Sequence, residues 1–180
     1  DEYKTSAICV LFDLKEPTFR HKISADYKAT RKPMMPELQV QMPIAKELLD
    51  LMGISRMELA GYEADDLIGT LSLKGEQEGY EVFILSGDHD DYQLISDKVS
   101  VIMPQKGVPP RILYTLEKFV EENHVTPQAF IHVKALMGDS SDNIIGIEKI
   151  GPKTAFGLIE KYGSIDGVLE NLDKLSPAQR

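Results

Sequence analysis

Apolar residues gather in short blocks separated by polar stretches, and the spacing inside each block predicts its element. Ala7 to Phe12 is an unbroken apolar run containing Ile and Val, the pattern of a strand buried on both faces. Val82 to Leu85 and Val99 to Met103 read the same way. Leu38 to Met52 has helical periodicity and ends at Gly53, and Glu63 to Gly79 repeats it with Leu67, Ile68 and Leu71 on one face. Residues 15–37 are polar, basic and proline-marked, and are expected to form a loop or mobile excursion. Strands alternating with helices predict an α/β fold with a mostly parallel sheet flanked by helices.

The last third changes character. Thr115 opens a helix, and Thr126-Pro127 supplies an N-cap followed by proline at the first helical position of the next. That helix is expected to reach Met137 and stop at Gly138. A glycine-punctuated segment from Asp142 leads into a helix ending near Tyr162, Ser164 caps another, and Ser176-Pro177 starts one more. The expected organisation is an α/β portion over 1–113 and a smaller helical subdomain over 114–180.

Composition changes this picture only at the margins. The 180 residues include 42% hydrophobic and 27% charged positions, ordinary values for a globular chain. Apolar runs are too short for a membrane helix, and the lone Cys9 excludes an internal disulfide framework. A cytoplasmic protein with no membrane contact is therefore expected. The net charge of −9 argues against a nucleic-acid partner at first sight. The charge is unevenly placed, however: residues 15–32 hold six Lys or Arg against Glu16 and Asp26, a local excess of +4.

The acids carry more information than their number. Asp13 directly follows the first strand, and Asp88 and Asp90 directly follow the second. Glu63, Asp65 and Asp66 sit at the opening turn of a helix, while Asp139 and Asp142 follow another. Each group has a plainer explanation, such as a helix cap, a dipole partner or a polar turn. In parallel sheets, though, ligands collect beyond the carboxyl ends of strands. Four convergent acidic groups would repel one another without cations. One shared pocket holding Mg²⁺ or Mn²⁺ is expected, with two ions clamping a phosphoryl displacement.

The residues also match a known family in order. Leu-Phe-Asp-Leu-Lys (11–15), Thr-Phe-Arg-His (18–21), Tyr-Lys-Ala-Thr-Arg (27–31) and Tyr-Glu-Ala-Asp-Asp-Leu-Ile-Gly (62–69) come first. Ser-Gly-Asp-His-Asp (86–90), Leu-Met-Gly-Asp-Ser-Ser-Asp-Asn (136–143) and Gly-Ile-Glu-Lys-Ile-Gly-Pro-Lys-Thr-Ala (146–155) follow. The set resembles the 5′-3′ exonuclease, or flap endonuclease, domain of bacterial DNA polymerase I, with a PIN-like fold and a C-terminal helix-turns-helix. The resemblance implies a two-metal, structure-specific 5′-nuclease acting on 5′ flaps and on nicked or branched duplex DNA in replication and repair. It implies metal ligation by Asp13, Glu63, Asp65, Asp66, Asp88 and Asp90, with Asp139 and Asp142 serving a second ion. Lys28 and Arg31 would reach the scissile phosphate from a basic arch, Arg20 would add positive charge, and Tyr27 would stack on a base.

Lys32, Gly146, Gly151, Lys153 and Thr154 would contact DNA, and the Gly146–Gly151 loop is a candidate K⁺ site. A nucleotide-binding loop is rejected for that glycine segment, because Pro152 interrupts it and no strand precedes it. A monomer in the bacterial nucleoid, with a polymerase domain in the same full-length chain, completes the expectation. The family also opens with an aspartate-ending strand that has no counterpart before Asp13. The alternative is therefore a non-catalytic, structure-specific DNA-binding fragment.

Overall fold

The structure, a computed structural model, describes residues 3–108 and 110–176. The expected start of a helix at Pro177 lies outside the described residues. The chain divides into two compact units, 1–68 and 69–180.

In the first unit, β1 (Cys9–Leu11) pairs in parallel with β2 (Ser55–Met57), Val10 lying opposite Arg56. Sequence reading missed β2, because Ser-Arg-Met carries no apolar alternation. The basic segment is not simply loop: α1 (Phe19–Ile23) forms within it, the His21 ring reaching back to accept the Thr18 backbone N–H at 3.1 Å. The helix expected from Leu38 to Met52 is broken into α2 (Pro36–Gln39) and α3 (Gln41–Leu51). Pro43 lacks an N–H, and the break places it in the first turn of α3, where none is needed. Gly53, at φ +69°, ends α3: its N–H reaches Asp50 O while Ile54 N–H reaches Leu49 O, the two bonds of a Schellman motif. One expectation needs correction. The strand around Val10 is half-buried at best, and Ile8 keeps 57% of its surface exposed. An apolar run records what a strand can bury, not what covers it.

Helix α4 (Ala64–Gln77) leads into the second unit. There β3 (Val82–Leu85) and β4 (Val99–Pro104) pair in parallel, Ile84 opposite Val101. An antiparallel strand, β5 (Arg111–Tyr114), adds to β4. A 3₁₀ turn (His89–Leu94) links β3 to β4. Helices α5 (Leu116–Asn123) and α6 (Pro127–Met137) begin where expected: Lys118 N–H donates to Thr115 Oγ1 and Ala129 N–H to Thr126 Oγ1. A hairpin of two-residue strands, β6 (Gly138–Asp139) with β7 (Ile144–Ile145), precedes α7 (Pro152–Tyr162). Ser164 caps α8 (Ile165–Leu169), and a 3₁₀ turn (Leu172–Lys174) follows.

The core of this unit joins sheet and helices. Ile95, Val99, Val101, Phe119, Val133 and Ile159 are almost fully enclosed. Tyr92 stacks obliquely on Tyr114, Phe119 and Phe130, with centroids 4.8, 5.4 and 6.1 Å away. Helices α5 and α6 share these rings with the sheet. The fold is α/β, with parallel pairing in both units, an antiparallel β5 beside β4 and the antiparallel β6–β7 hairpin.

Candidate metal and phosphate site

Asp13 leaves β1 and turns its Oδ1 to the Ala64 N–H at 2.7 Å. A carboxylate there satisfies an orphan donor and complements the dipole of α4. Asp66 accepts the Glu63 N–H at 2.9 Å and a two-pronged contact from Arg20, each prong 2.8 Å. The guanidinium holds the Asp66 carboxyl below the usual carboxylate range, against the opposing effect of burial. Glu63 is buried at 6% exposure; Lys28 Nζ lies 2.8 Å from its Oε1 and Tyr27 donates its hydroxyl to Oε2 at 2.9 Å. Asp65 stays exposed on the first turn of α4.

Asp13, Glu63, Lys28, Arg31 and His21 line one cavity of about 230 Å³. With His21 Nδ1 accepting the Thr18 N–H, the ring is left to donate through Nε2. The sequence signal for His21 is its three-residue spacing from Thr18, which does not by itself mark a site residue. Tyr27 is 7% exposed, packed edge-on to His21 and bonded through its hydroxyl to Glu63. Lys32 is exposed.

The second unit carries the other acids. Asp88 caps the 3₁₀ turn, its Oδ1 accepting the Asp90 N–H at 2.9 Å. Lys134, from the last turn of α6, places Nζ 2.7 Å from Asp90 Oδ1 and 2.6 Å from Asp139 Oδ2. Asp139 Oδ1 accepts from the Ser141 N–H, the Ser141 hydroxyl and the Asp142 N–H. The Asp139 carboxyl is held well below its usual range because these bonds and Lys134 outweigh burial. Sequence reading missed Lys134, since nothing local links a lysine before Gly138 to an acid after β3. Asp91 is 2% exposed, with Oδ2 lacking a hydrogen-bond partner; burial pushes its carboxyl upward, against a hydrogen bond from Ser86.

The glycine segment behaves in two ways. A Cβ on Gly146 would stand 2.2 Å from the Met137 carbonyl carbon, so this glycine permits the close approach of hairpin and helix end. A Cβ on Gly151 would meet nothing within 4 Å. Lys153 and Thr154 open α7 and border a cavity of about 370 Å³ with Lys161 and Lys174.

Among the described residues, no three of His, Cys, Asp and Glu gather closely enough to hold a metal ion. The acids are instead held by internal cations: Glu63 by Lys28, Asp66 by Arg20, and Asp90 with Asp139 by Lys134. Their oxygens are hard donors that already bind positive charge, which fits a hard divalent cation held by one or two carboxylates and water.

The N-terminal resolvase-like domain of the 5′-3′ exonucleases matches residues 1–127, and their C-terminal SAM fold matches 125–180. The chain belongs to the 5′-3′ exonuclease family. Thermostable DNA polymerase I of Thermus thermophilus is 45% identical over 177 residues, and DNA polymerase I of Bacillus subtilis 44% over 176, each covering 98% of the chain. The chain spans 20% of the length of these two relatives. Among solved 5′-nucleases, T5 5′-exonuclease with bound zinc ions is 26% identical with a TM-score of 0.78, covering 98% of this chain and 68% of that one. A T5 flap endonuclease in a pseudo-enzyme-product complex with DNA and metal ions is 25% identical with a TM-score of 0.79, covering 98% and 67%. The PIN-like fold expected for this exonuclease family member is thereby borne out.

Proposed function

We propose that the chain is the nuclease portion of a larger DNA-processing enzyme, cutting phosphodiesters at 5′ flaps and in nicked or branched duplex DNA. The observation that carries this reading is the cavity where Asp13 and Glu63 face Lys28 and Arg31. It offers oxygens for a hard cation beside cationic groups for a phosphate. Asp13, Glu63, Asp65 and Asp66, and in the second unit Asp88, Asp90, Asp139 and Asp142, are the residues that would hold Mg²⁺ or Mn²⁺. When bound, a pair of such ions activates water and stabilises the leaving oxygen.

The chain's own groups do the rest. Tyr27 and Lys28 fix both oxygens of Glu63, so its orientation is set before substrate arrives. Arg20 does the same for Asp66. Arg31 and the Lys28 ammonium line the cavity and would draw a phosphate into it, and Arg suits its oxygens geometrically. Lys32, Gly151, Lys153 and Thr154 would follow the duplex backbone, with K⁺ at the Gly146–Gly151 loop neutralising phosphate. A polymerase domain in the same full-length chain and action as a monomer in the bacterial nucleoid belong to this reading. No helix among the described residues is long and apolar enough to cross a membrane.

The test is cleavage of a 5′-labelled flap duplex in Mg²⁺ and in Mn²⁺. Cleavage near the junction is expected, abolished by EDTA and by Asp88→Asn. Undiminished cleavage by Asp88→Asn, or in EDTA, would overturn the assignment. Tight, salt-sensitive flap binding without cleavage would make the chain a DNA-binding fragment instead.

A further inference from the structure

Lys134 stands out because its ammonium lies between two acids. It lies 2.7 Å from Asp90 Oδ1 and 2.6 Å from Asp139 Oδ2, with 21% of the side chain exposed. The two acids come from separate segments, one after β3 and one after α6, so the lysine ties them together. The contact is more than a lysine resting at a helix end. Asp139 Oδ1 is already taken by three donors from its own loop, which leaves Oδ2 as its outward oxygen, and Lys134 holds it. Burial favours the neutral amine, but the bonds to Asp139 and Asp90 outweigh it and keep the ammonium charged.

We propose that Lys134 is the resident cation of the Asp90–Asp139 pair, and that a divalent ion binds this pair by displacing its ammonium. This rests on the divalent-metal reading above. An ammonium and a dication cannot both sit within ligand distance of the same two oxygens, because their repulsion at such separation is large. The lysine therefore performs two tasks. It keeps two like charges apposed while the site waits, which preserves ligand geometry, and it sets a cost on filling the site. Once released, its charge stays beside the ion on a tethered stem, available to a phosphate. Lys134 is thus a positioning residue, distinct from Lys28 and Arg31 in the first unit.

The test measures Mn²⁺ affinity of the chain by electron paramagnetic resonance, for the native protein, Lys134→Met and Lys134→Arg. Lys134→Met should bind Mn²⁺ on the order of tenfold more tightly, since no charged hydrogen bond is broken on entry. It should also melt at lower temperature in EDTA and recover when Mn²⁺ is added. Lys134→Arg, which keeps the bridge, should stay near the native affinity. An independent reading uses native protein with ¹³C-methylated lysines, the Lys134 signal being identified by its loss in Lys134→Arg. That signal should shift on adding Mg²⁺.

Equal or weaker Mn²⁺ binding by Lys134→Met overturns the proposal, as does a Lys134 signal that Mg²⁺ leaves unmoved. In both cases Mn²⁺ binding by the native chain leaves the nuclease reading standing. A native chain that binds no Mn²⁺ at all sinks both. Should Lys134→Met fail to fold, the methyl signal of the native protein decides alone.

Discussion

Tyr27 illustrates how one hydroxyl changes the meaning of a residue. Its ring stands beside a cationic segment, as a base-stacking group would, yet its oxygen donates to the buried Glu63 at 2.9 Å. Hydrogen bonds to a charged group contribute about 1.5–3 kcal/mol. Tyr27→Phe is therefore expected to lower the flap cleavage rate at saturating DNA roughly tenfold, with KM unchanged. A raised KM at unchanged turnover would instead support the stacking role. Asp91 is a second case: the polar turn hides an enclosed carboxyl with one unpartnered oxygen, and burial against Asp88 and Asp90 pushes its titration upward.

At the scale of elements, the β6–β7 hairpin depends on two glycines that do different things from the third. Gly138 takes φ +72° and meets the Gly146 backbone, where a Cβ on either would overlap main-chain atoms. Main chain cannot swing aside as a flexible side chain can. Gly146→Ala is expected to destabilise the chain by about 3 kcal/mol in urea unfolding, whereas Gly151→Ala, extended at φ −87° with open space around it, should change stability by less than about 1 kcal/mol. Equal effects at the two positions would mean the hairpin approach is not what Gly146 provides. This contrast was only half legible in the sequence. Close glycines announce a tight backbone, but not whether the thing approached is a ligand or the chain itself.

For the whole molecule, the paired acids govern the response to pH. Asp66 and Asp139 have folded-state titrations depressed below the ordinary value of 3.8. A depressed carboxylate contributes stability that is fully present above the unfolded value and lost as pH falls through the folded one. The melting temperature should therefore hold from neutral pH to about pH 4 and then fall, with the buried Asp91 acting in the opposite sense because its titration is raised. In Asp139→Asn the decline below about pH 4 should be shallower; an unchanged profile would show that the Lys134 bridge adds nothing to the folded state. The division into compact units after Ile68 is a property of the same scale. Within the second unit, α5 and α6 share the Tyr92 cluster with the sheet.

What the sequence by itself determined is what depends on neighbours a few residues away. Thr115, Thr126 and Ser164 cap helices through side chains that reach a backbone N–H three residues on, and Val82–Leu85 is a strand because four successive apolar residues suit one. The order of acids and bases, enough to mark the family, is equally a property of the string. The tertiary structure alone decided which charges meet. Arg20 reaches Asp66 across 46 positions and Tyr27 reaches Glu63 across 36, and Lys134 joins acids from two segments. Coulomb attraction falls with distance in space, not along the chain, so no local pattern could single out those partners. The burial of Tyr27 and the exposure of β1 have the same origin, since each depends on what the rest of the fold lays against them.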